Sequence, residues 1–233
     1  MTDSQSTPEE QPVKFRPPPA NSGKMITTLS LVAMISGFLV VLVYQYTQPL
    51  IAENQRIAVE KAIYQVLPGA VSWKSYVING DQLLPAQSDG TTIYAGFNDK
   101  GDLTGIASEA AAQGYADVIK LLYGYNPACE CITGIKVLKS AETPGLGDKI
   151  YKDKAFVKNF DALAAQLNAD KSALEHDIVT VKHGTKTQPW QIDSISGATV
   201  SSKAVGKALN GSAQFLLPRL IKQLQNIIGS NKS

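Results

Sequence analysis

The chain has 233 residues, 44% of them hydrophobic, and its 22 lysines and arginines nearly balance 20 aspartates and glutamates. This composition is typical of a globular protein. A net charge of +2 without a basic stripe gives no support to nucleic-acid binding. His176 and His183 lie in a polar, lysine-rich region and are expected at the surface, so Ser-His-Asp hydrolysis or a histidine metal site has little basis.

Two segments at the start of the chain differ sharply in composition. Residues 1–24 are rich in Ser, Glu, Gln and Pro and are predicted to form a disordered cytoplasmic tail. Residues 25–46 carry no charge and are mostly apolar, which is long enough for a helix that crosses a bilayer. A secretory signal would be shorter and end at a small-residue cleavage site, and a buried core helix is the other alternative. Lys24, Tyr44 and Tyr46 are typical interface anchors, so we predict an uncleaved single-span transmembrane helix.

The charges that flank this span indicate its orientation. Lys14, Arg16 and Lys24 precede it, whereas Arg56 and Lys61 follow it at a greater distance. The positive-inside rule then favours a cytoplasmic N-terminus and an exported C-terminal domain.

Residues 47–233 are predicted to form one α+β domain. An amphipathic helix over 52–67 ends at Pro68-Gly69, and strands over 92–97 and 103–108 flank a hairpin turn at Asn98–Gly101. Strands are also predicted at 118–123, 132–138, 178–182 and 190–192. Helices are predicted at 156–167, at 171–175 and at 200–217, the last interrupted at Pro218.

A small-residue turn precedes the last helix, within the sequence from Asp193 to Ser202. Gly197 allows the backbone to approach a ligand closely, and Ser196 is a predicted N-cap. Thr199 falls in the first helical turn, where free N–H groups and the helix dipole favour a phosphate. An ordinary capped helix is the alternative for these four residues alone.

A second segment, Glu142-Thr-Pro-Gly-Leu-Gly147, is predicted to be a loop against which a flat ligand can lie. Such a loop is expected to expose backbone N–H groups and to keep side-chain bulk away, while Pro144 limits its flexibility. A structural turn between a strand and a helix is the alternative.

A family resemblance extends over most of the chain. It rests on these two motifs and on three shorter segments, Val66–Gly69, Gly114-Tyr115 and Ile132–Ile135. The chain resembles the FMN-binding subunits of respiratory membrane complexes. It is most similar to the G subunit of the Rnf ferredoxin:NAD oxidoreductase and more distantly to the C subunit of the sodium-pumping NADH:quinone oxidoreductase. In such proteins, a flavin transferase links FMN through its phosphate to the last threonine of the SGAT motif.

The resemblance implies a set of site residues in this chain. The acceptor of covalent FMN is expected to be Thr199, and Asp193 and Ser202 are expected to help the transferase recognise the site. Lys149 is a candidate for stabilising a reduced, anionic flavin. The remaining expected cofactor-binding residues are Ser196, Gly197, Ala198, Glu142, Thr143, Gly145 and Leu146.

The implied function is that of a non-autonomous electron carrier in an ion-translocating complex of the bacterial inner membrane. Its FMN would relay electrons between ferredoxin-side and NAD-side cofactors, with the other membrane subunits of the complex as partners. A membrane-anchored FMN-binding sensor or interaction domain is one alternative, and the homologous subunit of the sodium-pumping quinone reductase is another. A flavin reductase with a soluble substrate is less favoured because the chain has no dinucleotide-binding fingerprint.

Three residues fall outside this interpretation. Cys129 and Cys131 form a C-x-C pair that could be a tight local disulfide or two small, partly buried residues. Many relatives carry a histidine where this chain has Ser140, so any role of that histidine is absent here.

Overall fold

The computed structural model describes residues 22–86 and 88–229, so the expected tail over 1–21 lies outside the described residues. The chain divides into two compact units between Ile51 and Ala52. This boundary falls inside helix α1, Ser22–Val66. Residues 22–24, predicted as the end of the tail, are therefore helical.

The N-terminal part of α1 contains the apolar segment. An 18-residue window of this helix has a mean hydropathy of 2.5, and none of it is buried. By length and composition the helix can cross a membrane. The two helices predicted at 25–46 and 52–67 form one continuous helix that includes Pro49. A proline removes a single backbone donor, and the helix-forming sequence on both sides maintains the helix.

The second unit contains a large antiparallel sheet and a small parallel pair of strands. The strands are β1 Ser72–Asn79, β2 Gln82–Pro85, β3 Thr91–Phe97, β4 Leu103–Gln113, β5 Val118–Asn126, β6 Cys131–Lys139, β7 Leu163–Ala164, β8 Val179–Val181 and β9 Gln191–Asp193. The large sheet has the order β2-β1-β3-β4-β5-β6-β7, and β8 pairs with β9. The α+β prediction is therefore confirmed. The helices that follow α1 are α2 Lys149–Lys152, α3 Lys154–Val157, a 3₁₀ turn Lys158–Phe160, and α4 Thr199–Gly229.

Helices cover both faces of the large sheet. The apolar face of α4, which includes Val205, Leu209 and Leu216, is buried in the main core together with residues of β3 to β6. On the opposite face, Ile63 and Val66 at the end of α1 pack in a second cluster with Leu122. Burial on both faces explains why β5 is almost continuously apolar rather than alternating.

The end of α1 approaches the sheet closely because two glycines lie beneath it. A Cβ atom added to Gly124 would clash with the carbonyl oxygen of Val66, and one added to Gly134 would lie 3.4 Å from the Cα atom of Val66. The Thr133 hydroxyl donates to the Val66 carbonyl at 2.7 Å, which satisfies one of the free carbonyls at the helix end. The helix then ends before Gly69, whose φ is +85°.

Two predicted helices are wrong. Instead of a helix over 156–167, the chain forms α3 and the 3₁₀ turn, and then β7 pairs with β6 and becomes the edge strand of the sheet. The Asn159 amide donates to the carbonyls of Phe156 and Asp193, which favours this compact turn over a longer helix. Residues 171–175 form bends and a single β-bridge between Leu167 and Leu174.

The predicted interruption at Pro218 is also wrong, because α4 continues through it to Gly229. Pro218, Leu217 and Leu220 are all buried, so packing on both sides of the proline stabilises the helix. The Arg219 guanidinium donates to the Phe215 carbonyl at 2.5 Å, close to the backbone hydrogen bond that Pro218 removes.

Of the two possibilities for the cysteines, the structure has the disulfide. Cys129 and Cys131 are bonded, with their Cα atoms 5.2 Å apart, at the turn between β5 and β6. Glu130 between them has a φ of +50° and accepts a hydrogen bond from the Ala165 amide at 3.0 Å. The disulfide therefore stabilises the turn whose Glu130 carbonyl binds the Ala165 amide, in the segment after β7.

We predict that Gly124→Ala destabilises the protein, because the new methyl group must displace the end of α1 from β5. Overpacking of this kind costs about 1–3 kcal/mol. The measurement is the thermal unfolding midpoint of the full-length protein in detergent, followed by tryptophan fluorescence. Gly211→Ala is the control, since Gly211 lies in α4 and a Cβ added there would meet no described residue within 4 Å other than the backbone of its own helix. Equal midpoints for the two variants would contradict the packing described above.

Candidate functional site

The two motifs singled out in the sequence meet at one pocket, although they are separated by about fifty residues of chain. This pocket, called here the loop–helix pocket, has a volume of about 490 Å³. Its lining comes from the 142–147 loop, from the start of α4 and from the turn between β4 and β5. The lining residues are Tyr115, Glu142, Thr143, Leu146, Gly147, Gly197, Ala198, Thr199, Val200 and Ser201.

The turn before α4 is held in shape by a buried hydroxyl group. Ser202 is fully buried, and its Oγ donates to the Ala198 carbonyl at 2.9 Å and accepts from the Ile195 amide at 3.1 Å. Gly197 has a φ of +81°, which a residue with a side chain rarely adopts. The helix begins at Thr199, so Ala198 rather than Ser196 directly precedes it, and the predicted N-cap is displaced by two residues. Thr199 is exposed at the N-terminus of this long helix.

The 142–147 loop does not expose all of its backbone N–H groups, contrary to the prediction from the sequence. The N–H groups of Leu146 and Gly147 donate to the Thr143 carbonyl at 3.2 and 3.0 Å, so they are not exposed to a ligand. Gly145, with a φ of +80°, permits this tight turn. The loop instead presents the Leu146 side chain, which is 50% exposed, to the pocket. At Leu146 and Gly147 the loop therefore offers an apolar side chain rather than free amide donors.

The carboxylate of Glu142 connects the three segments that form the pocket. Glu142 is 6% exposed. Its Oε1 accepts from the Ala116 amide at 3.0 Å, in the β4–β5 turn, and its Oε2 accepts from the Ser201 hydroxyl, in the first turn of α4. A Cβ added to Gly147 would lie 2.7 Å from Glu142 and 2.8 Å from the Ser201 Oγ, so this contact requires glycine at position 147.

Comparison with known proteins identifies the family. A model described as FMN-binding domain matches residues 114–214, and one described as RnfG N-terminal region matches residues 27–66. The G subunit of the ion-translocating oxidoreductase complex from Aliivibrio fischeri is 32% identical over 202 residues, which cover 82% of this chain and 89% of that protein. Its namesake from Methanosarcina acetivorans is 28% identical over 196 residues, which cover 83% and 93%. The chain belongs to the G-subunit family of ion-translocating oxidoreductase complexes.

A solved structure has the same fold as this member of the G-subunit family. It is the C subunit of the Na⁺-translocating NADH-quinone reductase from Parabacteroides distasonis, with a TM-score of 0.51 at 20% sequence identity. The likeness covers 65% of this chain and 77% of that one. At this identity the comparison concerns the fold alone. The α+β architecture is thus found in a second kind of ion-translocating complex.

The residues of the loop–helix pocket fit FMN. Its volume lies within the range of about 300–1,000 Å³ that is usual for small-molecule and cofactor sites. Leu146, Tyr115 and Val200 offer apolar or aromatic surface to a planar ring system. The N-terminus of α4 suits a phosphate, and the exposed hydroxyl of Thr199 lies at that N-terminus.

Five of the expected site residues do not line this pocket, and one of them is Ser202, which is buried beneath the turn before α4. Lys149, Asp193 and Ser196 line a second pocket of about 250 Å³ on the other side of the SGAT turn, together with His183. The Asp193 carboxylate accepts from the Gly184 amide at 2.7 Å and lies 3.4 Å from the His183 Nδ1 atom, so it also holds the loop that follows β8. Gly145 is in the 142–147 loop but does not line either pocket.

Four residues that line the loop–helix pocket were not among the expected site residues: Tyr115, Gly147, Val200 and Ser201. Gly147 belonged to the predicted loop and Val200 to the predicted last helix. The only indication in the sequence that Tyr115 belongs to the site was its place in a motif that contributed to the family resemblance. Ser201 had none, because its significance depends on Glu142, 59 positions earlier in the chain. Ser140, the departure from the family pattern, accepts a hydrogen bond from the Glu142 amide at 3.3 Å and so helps to orient that residue.

Asp148, directly after the loop, should make stability depend on pH. It is 4% exposed and forms an ion pair of 2.5 Å with the Nζ of Lys152, whose hydrogen bond lowers the pKa of the Asp148 carboxyl. A carboxyl group with a lowered pKa in the folded state contributes stability above its unfolded pKa, and that contribution is lost as the pH falls through the lowered value. Asp148→Asn should therefore lower the thermal midpoint at neutral pH and flatten its fall as the pH decreases below about 5.

The measurement is thermal unfolding of the full-length protein across this pH range. Asp161→Asn is the matched control, because Asp161 is an exposed carboxylate. Superimposable pH profiles for the wild-type protein and Asp148→Asn would contradict the role of the ion pair.

Proposed function

We propose that this protein binds FMN covalently, through a phosphodiester to the Thr199 hydroxyl, and transfers electrons within a membrane-bound ion-translocating complex. In that complex the bound flavin would carry electrons between the ferredoxin-side and NAD-side cofactors, because it can be oxidised and reduced reversibly. The chain itself supplies the position and the electrostatic environment. The single observation that carries the proposal is the exposed Thr199 at the start of α4, facing a pocket shared with the 142–147 loop.

The residues of the SGAT turn suit the attachment of a phosphate. Gly197 and Ala198 are small, and among the described residues nothing lies within 4 Å of a Cβ added to Gly197. Thr199 itself is exposed, so this turn would leave a modifying enzyme access to the acceptor hydroxyl. The donor would be an activated flavin phosphate, an anhydride of FMN. The Thr199 Oγ–P bond forms, the P–O bond of the anhydride breaks, and the hydroxyl proton leaves with the displaced phosphate. The positive end of α4 then stabilises the remaining phosphate charge.

The proposal includes a location and partners. The helix over 25–46 would anchor the chain in the bacterial inner membrane, with the N-terminus in the cytoplasm and the FMN domain on the other side. A disulfide between Cys129 and Cys131 is a feature typical of an exported domain. Other membrane subunits of an Rnf-type complex would be the permanent partners, and a flavin transferase would act during maturation. Covalent attachment would keep the carrier from losing its cofactor on the exported side.

The first test is the intact mass of the protein produced with and without a flavin transferase. The wild-type chain should gain the mass of FMN less one water only when the transferase is present. Thr199→Ala should lose this gain, whereas Thr199→Ser keeps a hydroxyl group and should retain part of it. The control is Thr187→Ala, an exposed threonine outside the loop–helix pocket. A full mass gain on Thr199→Ala would contradict the assignment.

Lys149 gives a second test, which concerns the electrostatic environment. Lys149 lines the second pocket and not the loop–helix pocket, so its charge would act on the flavin through space. A positive charge at that position would stabilise the extra negative charge of the reduced form, and its removal should lower the midpoint reduction potential. Lys149→Ala and the control Lys154→Ala, an exposed lysine that does not line the second pocket, can be compared by spectroelectrochemistry. Equal potentials for the two variants would leave Lys149 without this role.

A further inference from the structure

Tyr115 is unusually exposed for a large aromatic residue at the edge of a pocket. It exposes 73% of its surface and lines the loop–helix pocket with Leu146 and Thr199. An aromatic side chain gains contact area at little conformational cost when a planar ligand covers it. Its position in the fold therefore points to a ligand contact rather than to core packing.

The turn that carries Tyr115 is held firmly by its own backbone. The Gly114 amide donates to the Asp117 carbonyl at 2.9 Å, and the Val118 amide donates to the Asp117 carboxylate at 2.7 Å. The same carboxylate lies 3.5 Å from the Nζ of Lys139, on the neighbouring strand β6. These contacts fix the backbone of the turn while they leave the Tyr115 ring exposed.

Glu142 fixes this turn relative to the acceptor helix. Its carboxylate accepts from the Ala116 amide, next to Tyr115, and from the Ser201 hydroxyl, two residues after Thr199. Gly114 makes the approach possible, since a Cβ there would clash with the Glu142 Oε1. One buried carboxylate thus sets the position of Tyr115 with respect to Thr199.

We propose that Tyr115 forms an aromatic wall of the flavin site and packs against the planar ring system of FMN, with Leu146 providing apolar surface in the same pocket. Glu142 is the positioning residue for this wall. The inference rests on the proposed function and adds to it a residue that selects for a flat aromatic ligand.

The test uses the full-length protein with FMN attached, produced with the flavin transferase, and measures quenching of the flavin fluorescence by iodide. Tyr115→Ala should raise the iodide quenching constant about two- to tenfold, the range of populations that one aromatic contact shifts. Tyr115→Phe keeps the ring and should remain close to the wild-type value. Tyr64→Ala is the control, because Tyr64 is 42% exposed and does not line the pocket.

Intact mass and thermal midpoint are recorded on the same samples. A quenching constant for Tyr115→Ala equal to that of the wild type, with FMN attached in both, would overturn the aromatic wall and leave the proposed function intact. A rise for Tyr115→Phe as large as that for Tyr115→Ala would also overturn it, since the ring would not be the element that matters. A wild-type chain that carries no flavin would overturn the proposed function and this inference together.

Discussion

The buried carboxylate of Glu142 is the contact on which the site depends. It receives one hydrogen bond from the β4–β5 turn and one from the first turn of α4, while it belongs to the loop that forms a third side of the pocket. A buried carboxylate is tolerated only when its oxygens are satisfied, and here both are. The glycine at position 147 is required by the same contact, because any side chain there would meet Glu142 and Ser201. The 142–147 loop therefore not only lines the pocket but also holds the β4–β5 turn and the start of α4 together.

The rest of the fold supports the three segments that Glu142 holds together. The antiparallel sheet is buried on both faces, and α4 crosses it with its N-terminus at the pocket and its apolar face in the main core. Thr199 therefore stands on a long, well-packed helix rather than on a free loop. A cofactor attached at such a point has a defined position, which an electron carrier needs because electron transfer depends on distance between cofactors. The exposed pocket lining, in contrast, would leave access for the modifying enzyme that the proposed function requires.

Local patterns in the sequence predicted much of this fold, and contacts between distant residues account for what they missed. The hairpin around Asn98–Gly101 and the end of α1 before Gly69 follow from turn residues, and both are confirmed. The helix predicted over 156–167 is wrong because β7 pairs with β6 as the edge strand of the sheet, which no local pattern reveals. The site motifs were visible as loops of small residues, but their meeting in one pocket was implied only by the family resemblance. The role of Glu142 in joining them depends on partners that only the folded chain brings together.

The most direct test of the central claim is a double-mutant cycle on the Glu142–Ser201 contact. The variants Glu142→Gln, Ser201→Ala and the combination would be compared by thermal unfolding of the flavin-loaded full-length protein. If the carboxylate joins the loop to α4, the two changes remove one interaction, and the double variant should lose clearly less stability than the sum of the single losses. Strictly additive losses would show that the two residues act independently. The conclusion that Glu142 connects the 142–147 loop to α4 would then be wrong.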